Sequence, residues 1–509
     1  MRQNENTVVE TKSGKIQGIY EEGLYVFKGI PYAAAPVKQR RWLPPEPVEH
    51  WSGVRPAQTF GTIAPQTSMQ MNIMRQQYEE EPQSEDCLYL NVWSPGLDDS
   101  RRAVLVWIHG GAFSMGSGSS PMHPGSTLPK RGDVVTVTIN YRLGPLGFLH
   151  LKETTEGRIP ATGNEGLLDQ ITALQWVHDN IAAFGGDSEN VTVFGESAGA
   201  MSIGCLLAMP KARGLFQKTI LQSGANTVRP LGQAIKVAEK FLEILGVSHQ
   251  DVNALRSLPV ERLLSAQQEL GSAIQRQNIK GAPTQPVVDE DTLPELPLDA
   301  IKSGSADNVV VLAGSNLEEA KLFAAMDQSL TNLGEAGLVR RVQRLLPPKY
   351  ATELIESYRN ARTKRDADTS PAEILMAIQT DIQFRIPDVR LIEAQCSQNL
   401  PAYNYLFTWK SPVPGLGACH ALDVGFIFGT LNEEFHGSGP AAERLVRNMQ
   451  DAWIAFARTG NPSCESLGNW PTYGNERKTM ILGEECRVED APYEDERSAW
   501  DPIPSVFLG

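Results

Sequence analysis

The stretch VTVFGESAGA, residues 191–200, decides how this chain is expected to fold. It begins as an apolar, β-branched run and ends at Gly195 and Gly199, two glycines that bracket Ser197. Glycine leaves room where a backbone turns sharply and passes close to another, so the pattern predicts a buried strand, a tight turn and a helix. Ser197 would then lie at the tip of the turn.

Similar apolar runs occur on both sides of this stretch. AVLVWI at 103–108 and VVTVTI at 134–139 have the composition of strands that are buried on both faces. Between them and Ser197, GLLDQITALQWVHDN at 166–180 repeats apolar residues at helical spacing. Strand, helix and strand in this order predict an α/β fold with a central, mostly parallel β-sheet flanked by helices.

The rest of the chain extends this pattern without a linker or an internal repeat. We therefore predict a single domain over residues 1–509, with helical insertions at about 230–300 and 336–396. Helical insertions in a parallel sheet commonly form the wall or lid of a site at the strand ends. These two segments are expected to form the wall of the site.

The amino-acid composition limits the kinds of binding partner that are expected. The net charge of −14 disfavours nucleic acid and anionic membrane surfaces, and no apolar block is long enough to span a membrane. The six cysteines show no CxxC spacing, so neither a zinc site nor a disulfide scaffold is expected. Because residues 1–10 lack the pattern of a secretory signal, the expected location is the cytoplasm.

A serine in a turn of this kind has a known chemical use. Its hydroxyl becomes a nucleophile when a base accepts its proton and an acid orients that base. The oxyanion formed by attack on a carbonyl needs N–H donors, one of them from the residue after the serine, Ala198. Gly110 and Gly111, directly after the strand at 103–108, are the expected second source.

Five longer motifs carry a family resemblance. The chain resembles the type B carboxylesterases, the α/β-hydrolases related to cholinesterases, and within them the bacterial para-nitrobenzyl esterase type. The motifs are WIHGGAF, SEDCLYLNVW, TINYRLGPLGFL, GNEGLLDQITALQWV and FGESAGA, and the resemblance covers nearly the whole chain. The resemblance implies an α/β-hydrolase fold and a serine carboxylesterase that cleaves small to medium esters through an acyl-enzyme on Ser197. It implies no metal and no cofactor.

The resemblance also implies the partners of the nucleophile. SNLEEAKLF at 315–323 is similar to the stretch that carries the family's acidic residue, which points to Glu319 with Glu318 as the alternative. GACHALDVGFIFG at 417–429 is similar to the stretch that carries the base, which points to His420. His109 is a competitor because it lies beside the glycine loop.

Further residues are predicted to support the catalytic residues, to line the substrate pocket or to stabilise the fold. Glu196, Ser223 and Asp423 are expected to support the histidine through its field and hydrogen bonds. Phe323, Met71 and Met74 are expected to line the substrate pocket. Two ion pairs are expected to hold loops to the sheet: Arg41 with Glu85, and Arg142 with Asp169.

Two other functions stay open on the sequence alone. The same residues would cleave an amide, a carbamate or a lactone, because each passes through a similar tetrahedral oxyanion. A non-catalytic binding homologue is the other alternative, which the presence of all three triad residues disfavours. The expected partner is a small-molecule ester, and the expected assembly is a monomer or a homodimer.

Overall fold

One large β-sheet organises the protein. The computed structural model describes residues 7–67, 81–225, 227–276 and 281–508. Within these ranges eleven strands form the main sheet, in the order β16-β15-β14-β13-β10-β9-β7-β8-β6-β4-β3. The sixteen strands are β1 Val8–Thr11, β2 Gly14–Gln17, β3 Ile19–Glu21, β4 Leu24–Pro31, β5 Val54–Pro56, β6 Tyr89–Ser94, β7 Arg102–Ile108, β8 Val135–Ile139, β9 Gly186–Glu196, β10 Lys218–Gln222, β11 Arg229–Pro230, β12 Val287–Val288, β13 Val310–Asn316, β14 Ala402–Phe407, β15 Lys478–Leu482 and β16 Arg487–Asp490.

The centre of the sheet is parallel and its edges are antiparallel. Strands β15, β14, β13, β10, β9, β7 and β8 run parallel to one another. Strands β16, β6, β4 and β3 pair antiparallel. The parallel strands are buried and apolar, as expected when both faces of a sheet are covered. The predicted central, mostly parallel sheet is confirmed.

Helices cover the sheet and fill much of the two segments predicted as insertions. The described α-helices are α1 Thr127–Gly132, α2 Gly144–Gly147, α3 Glu165–Asn180, α4 Ala198–Leu206, α5 Leu231–Leu245, α6 Val252–Ser257, α7 Val260–Arg276, α8 Pro297–Lys302, α9 Ala320–Ala324, α10 Glu335–Leu345, α11 Pro348–Lys364, α12 Pro371–Thr380, α13 Ile386–Ser397, α14 Val424–Phe428, α15 Glu433–His436, α16 Pro440–Thr459 and α17 Glu494–Ser498. A π-helix, Asp381–Arg385, joins α12 to α13. The single-domain organisation of residues 1–509 stays a prediction.

The register of the central strands places their carboxyl ends at one edge. Glu196 of β9 pairs with Gln222 of β10, and Gln222 pairs with Gly314 of β13. The residues that directly follow these strands therefore meet at the same edge, which is where open parallel sheets bind ligands.

The two predicted ion pairs are confirmed. The guanidinium of Arg142 binds the carboxylate of Asp169 through two hydrogen bonds of 2.7 and 2.8 Å, and both side chains are buried. Arg41 binds Glu85 in the same bidentate way, at 2.6 and 2.7 Å. Because an unpaired buried charge is costly, removing one partner is expected to destabilise the fold rather than the chemistry.

None of the helices in the described ranges is both long and apolar enough to cross a membrane.

Candidate active site

Ser197 lies in a sharp turn between β9 and α4. Its backbone has φ 54° and ψ −122°, a strained conformation for a residue with a side chain. The two flanking glycines let the turn pass close to the neighbouring strand. A Cβ on Gly195 would lie 2.6 Å from the carbonyl oxygen of Ile108, and one on Gly199 would collide with that same oxygen. The bracketing glycines are therefore required by the approach of β7.

The predicted nucleophile, base and acid come together in one line of hydrogen bonds. The Nε2 atom of His420 lies 2.9 Å from the hydroxyl oxygen of Ser197. The Nδ1 atom of His420 lies 2.6 Å from Oε2 of Glu319. Glu319 and His420 are buried, while Ser197 is partly exposed at the end of the line. A base that is hydrogen-bonded to an acid thus lies within hydrogen-bond distance of a partly exposed hydroxyl.

Of the two candidate acids, only Glu319 contacts the histidine among the contacts described. Its second oxygen accepts the backbone N–H of Asn316 at 2.6 Å, which fixes the carboxylate at the end of β13. Glu318 points elsewhere: it pairs with Lys321 at 2.7 Å and accepts the backbone N–H of Ala418 at 2.9 Å.

His109, the competing histidine, is held away from a proton-transfer role. Its Nδ1 atom donates to the carbonyl oxygen of Gly110 at 2.8 Å, and its ring stacks on that of Tyr141 with centroids 4.5 Å apart. Burial lowers the pKa of His109 to about 4, so the ring is neutral at neutral pH. The geometry assigns it to the support of the glycine loop.

The glycine loop after β7 lies directly against the nucleophile. A Cβ on Gly110 would be 3.2 Å from the Cβ of Ser197, and Gly111 has φ 112°, which favours glycine. In the described ranges, no protein acceptor is paired with the backbone N–H of Gly110, Gly111 or Ala198. These three N–H groups are therefore free to serve a ligand.

Glu196 sets the electrostatics around the histidine. Its Oε1 atom lies 3.1 Å from Nε2 of His420, and both groups are buried. Burial alone would lower the pKa of His420, but the carboxylates of Glu196 and Glu319 outweigh it and raise that pKa above its ordinary value. For the carboxyl group of Glu196, burial acts in the opposite direction and raises the pKa. The two groups form a coupled pair that keeps a proton to a higher pH than an isolated imidazole would.

Replacing Glu196 by glutamine should therefore move the pH profile. Without the neighbouring carboxylate, the pKa of His420 falls, so the neutral base is populated at lower pH. We expect the acidic limb of kcat/KM for an ester substrate to shift to lower pH in Glu196→Gln. Rate measurements from pH 5 to 9 would show it, with the conservative Glu196→Asp as the control that retains the charge. An unchanged limb, or a shift to higher pH, would contradict this electrostatic role.

Two other predicted support residues lie behind the line. Asp423 is buried and accepts hydrogen bonds from the side chains of Gln222 at 2.8 Å, Asn316 at 3.2 Å and Tyr405 at 3.3 Å. Ser223 is fully buried, and its hydroxyl has no partner in the described part of the chain. Asp423 thus connects the ends of β10, β13 and β14.

Two phenylalanines pack on the ring of His420. Phe323 lies 5.2 Å from it by ring centroids and is 42% exposed, so this predicted pocket residue is adjacent to the base. Phe384, which the sequence analysis missed, lies closer at 4.7 Å and is buried. It belongs to the π-helix Asp381–Arg385, an element often found at functional sites. Met71 and Met74, the other predicted pocket residues, lie outside the described residues.

Over the described ranges, no three or more His, Cys, Asp and Glu side chains cluster as metal ligands would.

The class of protein follows from fold and site together. A serine at the tip of a strand-turn-helix, joined to a histidine and a glutamate at the carboxyl edge of a mostly parallel sheet, defines a serine hydrolase of the α/β-hydrolase type. The chain belongs to the carboxylesterase family, which it matches over residues 5–500. The predicted family, fold and enzyme class, a carboxylic ester hydrolase of the serine type, are thereby confirmed.

Individual relatives agree with this membership. The chain is 41% identical over 502 residues to the para-nitrobenzyl esterase of Bacillus subtilis, covering 97% of this chain and 98% of that protein. It is 34% identical to the phenmedipham hydrolase of Pseudarthrobacter oxydans, covering 94% and 95%. Among solved structures, the carboxylesterase EST55 of Geobacillus stearothermophilus superposes with a TM-score of 0.86 at 42% identity, covering 97% of this chain and 100% of that one.

Proposed function

We propose that this enzyme hydrolyses carboxylic esters through an acyl-enzyme on Ser197, with His420 as general base and acid and Glu319 as its orienting carboxylate. The observation that carries the proposal is the continuous line from the Ser197 hydroxyl to Nε2 at 2.9 Å and from Nδ1 to the Glu319 carboxylate at 2.6 Å. Serine is inert without such a base, and imidazole needs an acceptor at Nδ1 to present a free Nε2.

Acylation follows from this geometry. The Ser197 oxygen attacks the ester carbonyl carbon while its proton passes to Nε2 of His420. The carbonyl oxygen becomes an oxyanion, for which the free N–H groups of Gly110, Gly111 and Ala198 are the proposed donors. The tetrahedral intermediate then breaks its bond to the alcohol oxygen, which leaves with the proton from His420.

Deacylation repeats these steps with water. His420 removes a proton from the water, the resulting hydroxide attacks the acyl carbon, and the Ser197 oxygen leaves with that proton. Glu319 stays ionised throughout and stabilises the imidazolium that forms in each half-reaction. Glu196 is proposed to support the same cation from the Nε2 side, and Asp423 and Ser223 to hold the base loop in place.

The proposed substrates are small to medium esters, for which the exposed ring of Phe323, packed on the buried ring of Phe384, supplies an apolar surface beside the base. The two rings stack with an interplanar angle of 6° and a centroid distance of 6.3 Å. Flat apolar groups gain contact on such a surface.

A substrate panel tests the function. We expect 4-nitrophenyl esters from acetate to octanoate to be cleaved, with kcat/KM falling for longer chains. Matched 4-nitroanilides, which pass through the same oxyanion but have a poorer leaving group, serve as the control and should be cleaved far more slowly. Equal rates for anilides and esters would favour the amide alternative. If no ester were cleaved, the proposal would be overturned.

A cytoplasmic location and a monomeric or homodimeric state complete the proposal. Fractionation of the producing cells and size-exclusion chromatography with light scattering would test them.

A further inference from the structure

The two loop N–H groups proposed as oxyanion donors belong to consecutive peptide units. A peptide unit is planar and trans, so its N–H points in the direction opposite to the carbonyl oxygen of the preceding residue. The N–H of Gly110 therefore shares a plane with the carbonyl group of His109, and the N–H of Gly111 shares a plane with the carbonyl group of Gly110. A group that fixes one of these carbonyl oxygens also fixes the direction of the N–H in the same plane.

Each of the two carbonyl oxygens accepts a hydrogen bond from a buried side chain. The hydroxyl of Tyr141 donates to the carbonyl oxygen of His109 at 2.8 Å. The Nδ1–H of His109 donates to the carbonyl oxygen of Gly110 at 2.8 Å. Because both side chains are buried, these bonds form away from bulk water, where they are stronger than at the surface.

The two donor side chains also pack on each other. The imidazole of His109 stacks on the ring of Tyr141 with an interplanar angle of 19° and a centroid distance of 4.5 Å. The ring of Phe148 lies edge-on to that of Tyr141, at 89° and 6.4 Å. Side chains held by close packing keep one rotamer, so their hydrogen bonds keep one direction.

A further segment of the glycine loop covers the bond between His109 and Gly110. A Cβ on Gly116 would lie 2.4 Å from Nδ1 of His109 and 2.5 Å from the carbonyl oxygen of Gly110, so the backbone of Gly116 packs directly on this bond. The side chain of Gln66 accepts the N–H of Gly116 at 2.8 Å and donates to its carbonyl oxygen at 3.0 Å. The covering segment is thus itself held in place.

The third proposed donor is oriented by a different device. The N–H of Ala198 shares its peptide plane with the carbonyl group of Ser197, whose oxygen accepts the N–H of Met201 at 2.8 Å. This bond belongs to the first turn of α4, so formation of the helix orients the donor. The two loop donors lie outside a helix, and side chains hold their carbonyl oxygens instead.

We propose that Tyr141 and His109 are positioning residues, which direct the N–H groups of Gly110 and Gly111 toward the oxyanion. This rests on the proposed ester hydrolysis at Ser197. In each peptide unit the side chain binds the carbonyl oxygen, which is trans to the N–H, so both donors are oriented before the substrate arrives. Donors oriented in advance stabilise a developing oxyanion more than donors that must turn during the reaction.

Removal of either hydrogen bond should slow the reaction. Tyr141→Phe removes only the hydroxyl and retains the stacked ring, and we expect kcat/KM for 4-nitrophenyl acetate to fall by about tenfold or more. His109→Leu removes the second donor, and kcat/KM should fall by about 10²-fold, the order of effect of one misplaced or missing oxyanion donor. His109→Asn, whose side-chain amide can donate from nearly the position of Nδ1, should recover part of this loss.

A trifluoromethyl ketone separates stabilisation of the oxyanion from general damage to the site. The Ser197 oxygen adds to the carbonyl carbon of trifluoromethyl hexyl ketone, the serine proton passes to Nε2 of His420, and the carbonyl oxygen becomes an oxyanion. The variants should weaken inhibition by this ketone by the same factor as they lower kcat/KM. Inhibition by the matching alcohol, which forms no oxyanion, should change by less than about twofold.

Ser94→Ala is the matched control for the loss of a buried hydroxyl. The Ser94 hydroxyl donates to the carbonyl oxygen of Phe184 at 2.6 Å, close to the amino end of β9, whereas Ser197 follows the carboxyl end of that strand. The variant should lower the thermal unfolding temperature, because a buried hydrogen bond is lost. It should leave kcat/KM and inhibition by the ketone unchanged.

Each outcome decides between positioning and a purely structural role. If Tyr141→Phe lowers the unfolding temperature but keeps kcat/KM and ketone inhibition, Tyr141 only stabilises the fold and the proposal is wrong. If inhibition by the ketone and by the alcohol weaken in parallel, the whole site is distorted and the proposal is also wrong. If one variant does not fold, the other two decide.

The unmodified enzyme tests the proposed function separately. If it cleaves esters and the Tyr141 and His109 variants cleave them equally well, only the positioning role is overturned. If it cleaves no ester, ester hydrolysis at Ser197 is overturned, and the positioning role with it.

Discussion

The alanine variant of Ser197 is expected to lose at least about 10⁴-fold in kcat for 4-nitrophenyl acetate, because it lacks the hydroxyl that is proposed to accept the acyl group. Ser197 lies at the tip of the turn and is within 2.9 Å of the base. The residual rate should come from the free N–H groups around the oxyanion and from substrate binding alone. Stopped-flow and steady-state rates would measure the loss, together with the burst of 4-nitrophenol that reports acylation.

Two controls make this test specific. The thermal unfolding temperature of Ser197→Ala should match that of the unmodified enzyme, since the substitution removes one partly exposed hydroxyl. Ser466→Ala, at an exposed serine away from the strand edge, should keep full activity. Retention of more than a few per cent of activity in Ser197→Ala would show that the nucleophile lies elsewhere.

The second large effect is expected at Glu319. Its Oε2 atom accepts the Nδ1–H of His420 at 2.6 Å, which leaves Nε2 free to accept the serine proton. In Glu319→Gln the side-chain amide can donate to Nδ1 instead, so the tautomer with the proton on Nε2 is favoured and the base is lost. We expect a fall in kcat of about 10⁴-fold near neutral pH with the fold intact, as measured by circular dichroism.

Glu318→Gln is the matched control for this prediction. Glu318 is the preceding residue, has the same chemistry and binds Lys321 and the backbone of Ala418 rather than the histidine. Its replacement should cost less than about tenfold in kcat, the order of effect expected for a surface ion pair and one hydrogen bond. If instead Glu318→Gln were inactive and Glu319→Gln active, the assignment of the acid would be reversed.

Much of the fold was predictable because it depends on local signals. Apolar, β-branched runs predicted strands such as β7, β8 and β9, and helical spacing predicted α3. The C-terminal part of the chain was harder to predict from its sequence. It ends with β15, β16 and α17, for which the sequence made no prediction. Strand β16 is the edge of the sheet, and its mixed polar and apolar residues give a weaker pattern.

The sequence predicted the site residues that belong to contiguous motifs, but it did not predict those that reach the site from elsewhere in the chain. The glycines around Ser197 form a motif that can be recognised in the sequence. The structure shows why they are required, since a side chain at either position would collide with Ile108. Phe384 had no comparable signal: its contact with His420 depends on a π-helix, whose altered turn moves side chains off the ordinary helical face.

By itself, the sequence determined the family and predicted the strand, turn and helix around Ser197, the proposed nucleophile, because both rest on residues that are neighbours along the chain. Only the tertiary structure decided that Glu319 rather than Glu318 orients His420, and that His109 is occupied with Gly110. The physical reason is that these choices depend on distances of a few ångströms between residues that lie far apart in sequence, set by strand register and packing.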